Sequence, residues 1–296
     1  MNKDYTIRGT ACKDQFRWFA SVTTNTVQTA RDLHDLSPLS TILLGRMLSA
    51  AVMLSWDLKN PDSELTLQVI GDGDLQGAMV VCTAQGTLKG YVKNPQLWLE
   101  NTQDNFSVGK ALGNGIISIF RNEPGKQPYT GTSKLISGEI AEDIAHYFQQ
   151  SEQIHTAVNL GILIDQHAVV RSSGGFIIQQ MPFADLRDTE KLEENLAKTP
   201  NLSDLMDMGL SITDIFNRFV FNDLDWCITD QKTICYECNC SRKRFAKALL
   251  LLGKSELESM QDGIKPICHF CNKEYIFTAS DMQALINELN SSKKDR

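Results

Sequence analysis

The chain of 296 residues carries a formal net charge of −7, with 42% hydrophobic and 22% charged residues. Those proportions suit a globular protein able to bury a substantial core, as one large domain or two. The negative balance argues against general binding to nucleic acid or to an anionic membrane, so only a local basic patch could do either.

The first residues, "MNKDYTIRGTACKDQ", lack the apolar stretch a secretory signal needs. The runs "YTIRGTA" and "FRWFASVT" read as strands, and a helical pattern follows at about 26–35. Residues 38–56 form a long apolar segment opened by Ser37-Pro38, a capping residue with proline in the first turn. Arg46 near its middle would be expensive in lipid, so a buried core helix is expected here and not a membrane span. The strands "LTLQVIG", "GAMVVCT" and "TLKGYV" come next. The intervening "GDGDLQG" at 71–77 matches neither phosphate-loop pattern and leads into a strand, so it reads as a hairpin turn.

A helix is expected at 139–150, then the strands "TAVNLGILID", "AVVRSS" and "GFIIQQM". Short turns between neighbouring strands favour antiparallel pairing, hence an α+β fold for residues 1–183. His34, His146, His155 and His167 are scattered, and neither a nucleophile elbow nor a metalloprotease His pair occurs. This region shows no chemistry of its own.

Residues 184–226 change character. They hold ten acidic and four basic residues, interleaved with apolar ones such as Leu192, Leu205, Ile212 and Phe216. Thr199-Pro200-Asn201 and Gly209 interrupt the helical spacing. Helices this short persist only when docked on something else. The segment is either a set of surface helices with a solvated acidic face or a linker whose order depends on its neighbours.

Six of the eight cysteines fall between 227 and 271, whereas Cys12 and Cys82 stand alone and read as inert core residues. A chain without an export signal is expected in the cytoplasm, where clustered thiols signal metal or redox chemistry more often than structural disulfides. Cys238-x-Cys240, then 27 residues, then Cys268-x-x-Cys271 offers two close pairs of sulfur ligands. Zinc takes four such sulfurs at about 2.3 Å. Cys235-x-x-Cys238 is the commoner metal spacing, so the pattern alone leaves the partner choice open; Cys227 reads as a free thiol. Between the pairs, Ser241 can cap a helix "RKRFAKALLLL" ending at Gly253, and Ser255-x-x-Glu258 reads as a capping box for a second one. "EYIF" reads as a strand and "DMQALINELN" as a last helix. A module of about 60 residues buries little core, and zinc could supply roughly 10–16 kcal/mol of coupled folding free energy. The same thiolates, once oxidised to disulfides, no longer ligate metal, so the site could also serve as a switch.

Two other classes compete. Arg242, Lys243, Arg244 and Lys247 could form the basic face of a zinc-ribbon nucleic-acid binder, although they could equally offset the charge of a zinc tetrathiolate. Cys268-x-x-Cys271 could be a thiol oxidoreductase pair, but no thioredoxin-like context surrounds it.

"CNCSRKR" followed by "CHFCNKEYIF" resembles the C-terminal module of the 33-kDa heat-shock chaperone family, the redox-regulated holdases. "GDGDLQG", residues 129–165 and "SGGFIIQQMP" at 173–182 are similar to stretches of that family's N-terminal domain. The resemblance implies that Cys238, Cys240, Cys268 and Cys271 bind zinc, and that oxidation forms the disulfides Cys238–Cys240 and Cys268–Cys271. It implies an α+β client-binding domain at 1–183, an acidic helical linker at 184–233 and a zinc-binding redox-switch module at 234–296. Zinc folds that module, the module stabilises the linker, and the linker covers the client surface. Oxidation by peroxide with unfolding stress, or by hypochlorous acid, releases zinc and unfolds the linker. The protein then holds unfolding client proteins without ATP and dimerises. The implied protein is not an enzyme and binds neither nucleic acid nor membrane. Cys227 and Cys235 depart from the family pattern and have no role assigned by it.

Overall fold

The computed structural model describes residues 3–98 and 107–292. The chain falls into two compact units, one ending at Glu237 and the other beginning at Cys238.

The first unit opens with β1 (Tyr5–Ala11) and β2 (Phe16–Val22), then α1 (Thr24–His34) and α2 (Pro38–Leu54). The Ser37 side chain accepts from the Ser40 amide, and Pro38 occupies the first turn, the arrangement that starts a helix without an orphaned N–H. By length and composition the Pro38–Asp57 stretch could cross a membrane, but 83% of its apolar window is buried in the protein. It is the core helix. Next come β3 (Glu64–Gly71), β4 (Gly77–Thr83) and β5 (Thr87–Val92), with 71–77 forming the expected turn between β3 and β4. Then follow α3 (Val108–Leu112), β6 (Gly115–Asn122), β7 (Tyr129–Lys134), α4 (Ala141–Tyr147), β8 (Thr156–Ile164) and β9 (Val170–Gln180). The acidic segment contributes α5 (Leu186–Lys198), α6 (Leu202–Asp207) and α7 (Ile212–Ile215), the last running into a π-turn at Phe216–Val220. The unit closes with β10 (Trp226–Thr233) and β11 (Cys235–Tyr236).

One sheet has the order β10-β1-β2-β9-β8 and the other β11-β5-β4-β3-β6-β7. Every named pairing within them is antiparallel except that of β11 with β5. Helix α2 packs against strands of both sheets and anchors the larger apolar cluster.

The first sheet is apolar on both faces. Phe19, Leu160 and Ile177 point to the α2 side. Their strand neighbours Trp18, Ala20, Phe176 and Ile178 point the other way, onto Leu192, Leu202, Leu205, Ile212, Ile215 and Phe216 of the acidic segment. That is why "FRWFAS" and "GFIIQQ" lack apolar–polar alternation: a strand buried on both sides needs none. Gly9 lies opposite Trp18. A side chain there would meet the Cys227 carbonyl at 1.9 Å and the indole at 2.4 Å.

Several elements differ from expectation. "AVVRSS" and "GFIIQQM" form the single strand β9, because Gly174 and Gly175 continue the ladder instead of breaking it. A side chain at Gly174 would meet the Ser21 carbonyl at 2.3 Å and the Met206 side chain at 3.1 Å. Residues 226–233, expected as helical linker, form an edge strand paired with β1, with a register shift between Arg8 and Gly9.

The second unit contains α8 (Arg242–Leu252), α9 (Lys254–Ser259), β12 (Gly263–Ile264), β13 (Phe277–Thr278) and α10 (Ala279–Ser292). The Ser241 side chain caps α8 as expected, by accepting from the Arg244 amide. The capping box at Ser255 is not formed. Gly253, with φ +93, ends α8 and caps α9, so Ser255 already lies within the helix. "EYIF" is strand only at its end, Phe277, which pairs with Ile264.

Candidate metal centre

The four expected ligands meet in the second unit. Cys238 and Cys240 lie just before α8, whose N-terminus is held by the Ser241 cap and by Arg244 reaching back to the Asn239 carbonyl at 3.2 Å. Cys268 and Cys271 sit on a tight knuckle. Amides of Cys271 and Asn272 donate to the Cys268 carbonyl, at 3.3 and 2.8 Å, and the Cys268 amide donates to the Lys273 carbonyl at 3.0 Å. Asn272 takes the left-handed backbone, φ +54, that closes such a turn.

All four sulfurs lie within 4.8 Å of one another. Cys238 and Cys268 are 3.7 Å apart, Cys240 and Cys271 3.4 Å. Tetrahedral ligation at about 2.3 Å would set sulfurs about 3.8 Å apart, so the donor set and its spacing fit a four-coordinate metal. Electrostatics point the same way. Burial, with hydrogen bonds donated by Cys238 to the neighbouring sulfurs, pushes Cys238 up to about 12. Burial also pushes Cys240 up, but hydrogen bonds from the Tyr275 hydroxyl and the other thiols outweigh it and bring it to about 7. Four sulfurs this close cannot all carry charge unless a cation sits among them.

Tyr275 was not singled out in the sequence. Its hydroxyl lies 3.0 Å from Cys240 Sγ, and its ring packs on Phe245 with centroids 4.8 Å apart. The visible signal was its place four residues after Cys271. Phe277, Leu257, Met282 and Ile286 form the small core beneath. Two of the basic residues proposed as a nucleic-acid face are committed within the module. Arg242 pairs with Asp281 at 2.7 Å and lies over the Phe277 ring at 4.6 Å, while Arg244 holds Asn239.

The remaining cysteines lie in the first unit. Cys12 and Cys82 are buried, as expected. Cys227 is exposed on β10, its sulfur 3.6 Å from the Thr10 hydroxyl, and Cys235 is exposed on β11. The four-sulfur cluster includes neither. His34 is buried and 3.1 Å from the Tyr236 hydroxyl, which donates to the Gly90 carbonyl at 2.6 Å. His146 and His155 line a cleft of about 440 Å³ beside α5, together with Glu142 and Glu193.

The second feature of interest is the covered sheet face. Trp18 is fully buried, with Phe216, Phe221 and Trp226 of the acidic segment around its ring at centroid distances of 5.0, 6.2 and 5.5 Å. Polar contacts hold the segment's edges. Ser172 donates to the Ser203 carbonyl at 2.8 Å and Arg171 pairs with Asp207 at 3.1 Å, while Asn195 donates to the Asn222 carbonyl at 2.8 Å within the segment itself.

An α+β unit whose apolar sheet face is covered by a helical segment, followed by a module in which four cysteines could hold a metal, defines the class. Comparison with known proteins gives the family. Residues 4–278 match the Hsp33 protein family, and the chain belongs to it. The 33 kDa chaperonin of Acetivibrio thermocellus is 39% identical over 295 residues, covering 98% of this chain and 99% of that one. That of Desulforamulus reducens is 39% identical over 291 residues, covering 97% and 98%. The crystal structure of the 33 kDa chaperonin of Thermotoga maritima superposes with a TM-score of 0.89 at 31% identity, covering 98% of this chain and all of that one.

Proposed function

We propose that this chain is a redox-regulated, ATP-independent holdase chaperone of the cytoplasm. In this reading residues 1–183 bind clients, 184–233 cover the client surface, and 234–296 form the switch. The observation that carries it is the covered sheet face. Ile7, Phe16, Trp18, Phe176 and Ile178 are buried by helices too short to stand alone. Removing the cover would expose a contiguous apolar patch of the kind that binds other proteins.

Zinc, when bound by Cys238, Cys240, Cys268 and Cys271, supplies the folding free energy of a module whose own core is small. A hydroperoxide takes two electrons from each thiol pair and is reduced to alcohol and water, leaving the disulfides Cys238–Cys240 and Cys268–Cys271. All four sulfurs lie within 4.8 Å of one another, so both local pairings are available to the cluster, although the Cys238-x-Cys240 ring is a strained one. The oxidised residues no longer hold a metal, and the module loosens. Cys238 follows directly on Glu237, whose amide donates to the Leu88 carbonyl at 2.8 Å beside β11. Disorder starting at Cys238 therefore begins at the anchored end of the covering segment. The exposed face then holds unfolding proteins, and two activated copies can pair through it. No catalytic turnover, nucleic acid or membrane enters this scheme.

The test is an aggregation assay on a thermally unfolding client, with zinc content and free thiols counted on the same samples. Suppression is expected only after hydroperoxide treatment, accompanied by loss of zinc and of four thiols from the cluster. Equal suppression by the reduced, zinc-loaded protein would overturn the redox control.

A further inference from the structure

The end of β10 half-buries a charge that has no counter-charge. Lys232 lies opposite Thr6 of β1. Its ammonium donates to Ser55 Oγ at 2.9 Å and to the Ala84 carbonyl at 3.1 Å, and sits 4.2 Å from the centre of the Trp56 ring. Those contacts are two hydrogen bonds to neutral acceptors and one cation–π contact. None is with an anion. Among the described residues Lys232 forms no ion pair.

The ionisable groups facing it do not supply one either. Arg8 of β1 lies over the same Trp56 ring at 4.8 Å and is itself paired with Asp230 at 2.7 Å. The Cys82 thiol of β4 is fully buried, and burial pushes it up to about 11. It stays neutral over the ordinary range of pH. Trp56 is fixed in turn, its indole N–H donating to Thr6 Oγ1 at 3.0 Å. The cradle is rigid, and it is built around a cation it does not neutralise.

We propose that Lys232 is a charge built into the covering segment to weaken its docking, and so sets how readily that segment leaves the sheet. The proposal rests on the reading of residues 184–233 as a removable cover. A cation taken from water into a site without an anion loses solvation that neutral hydrogen bonds replace only in part. When β10 peels from β1 the ammonium regains water, which favours the open form. An apolar side chain of the same length would favour the docked one. The segment's other charged pairs do not act this way. Arg171–Asp207 and Lys191–Asp223 have side chains 30–73% exposed and change solvation little on release.

The pH dependence has a definite sign. Burial, opposed by Cys82 and assisted by Arg8, lowers the Lys232 pKa from 10.5 to about 8 in the docked state. The open state binds this proton more tightly, so opening takes up a proton between about pH 8 and 10.5. Docking should therefore strengthen as pH rises through that window, and carry the full penalty below it. Arg8 keeps its charge throughout, and Cys82, at about 11, begins to ionise only at the top of that window.

The experiment is hydrogen exchange on the full-length, reduced, zinc-loaded protein, read in peptides covering residues 226–233. Lys232→Met is expected to slow exchange there roughly tenfold at neutral pH. Wild-type protection, corrected for the intrinsic rate, should rise between about pH 8 and 10, while that of the variant stays flat. Exchange as fast or faster in Lys232→Met would show that the ammonium's hydrogen bonds hold the strand, and would overturn the proposal. So would a flat wild-type series, which decides the matter alone if the variant does not fold. Neither oxidant nor client is used. A protein that docks more tightly as stated yet never suppresses aggregation would sink the chaperone reading and leave this one standing.

Discussion

Trp18 of β2 and Phe216 of the covering segment meet edge to face, with ring centroids 5.0 Å apart and planes at 79°. Phe216 also contacts Phe176, Phe221 and Trp226, at 5.8, 5.1 and 5.5 Å. It touches both sheet residues, Trp18 and Phe176, as well as both later aromatic rings of the cover. Such pairs add about 0.5–1.5 kcal/mol each beyond the area they bury, and Phe216, with four of them, carries a large share of the segment's hold on the sheet.

Phe216→Ala should therefore loosen the cover while leaving the sheet intact. Truncating a fully buried phenylalanine costs about 3–5 kcal/mol, more than a few short helices can absorb. The expected outcome is a reduced, zinc-loaded protein that suppresses client aggregation without oxidant. Light scattering reads the activity, and exchange in β2 and β9 confirms the sheet. If residues 186–220 exchange freely yet the protein stays inactive, the uncovered face is not the client surface.

How much of this was legible in the sequence depends on where the determining interaction lies. The α2 helix announced itself through Ser37-Pro38 and its apolar length, both local signals. The sulfur cluster was legible because short Cys spacings are themselves the constraint, although choosing Cys240 over Cys235 needed the family resemblance. That the acidic segment covers the sheet came only from the family resemblance, and its contacts were not legible. That Phe216 meets Trp18 is set by the pairing of β1 with β2 and β10, across about 200 residues of chain. Strand β10 hid for the same reason: "WCITDQKT" is mostly exposed and polar, and only its partner β1 makes it a strand. Gly174-Gly175 looked like a break because the sequence does not show the Met206 side chain filling the space above Gly174.

The ligand assignment separates two thiols that the sequence alone left exchangeable. Cys240 Sγ lies 3.4 Å from Cys271 Sγ, while Cys235 belongs to a strand of the first unit. Cys240→Ser should lower zinc affinity at least tenfold and loosen the C-terminal module, whereas Cys235→Ser should leave both unchanged. Chelator competition on the two purified variants measures this. Full affinity in Cys240→Ser with loss in Cys235→Ser would reverse the assignment.

Truncation near residue 183 removes α5 to α7, β10 and β11 together. The remaining sheets still enclose α2 and the larger core, so the fragment should fold. Its sheet would carry Trp18, Phe16 and Phe176 uncovered. The fragment is expected to suppress aggregation whatever its redox history and to tend toward self-association. A folded, monodisperse fragment with no holdase activity would remove the inhibitory role of the cover.

The coupling between metal and cover can be tested by its order. The module from Cys238 onward has a small core, centred on Leu257, Phe277 and Met282, and Tyr275 ties that core to the sulfurs. Without its ligands in place it should lose structure, and the loss starts one peptide bond beyond Glu237. From there the next anchors inward are the Tyr236 hydroxyl on Gly90 and the short β11 pairing with β5, whose two residues offer little resistance. Beyond them lies β10, an edge strand that opens readily once its end is free. Limited proteolysis should therefore show cleavage first after residue 237, then within 184–233, while 3–98 and 107–183 stay protected by the α2 core. Chelating zinc without oxidant should give the first cut rapidly and the second slowly, because the thiols can still recapture metal. Hydroperoxide should make both fast. If the 184–233 segment remains as resistant after oxidation and zinc loss as before, nothing passes from the sulfurs to the sheet face, and the metal serves only to fold its own module.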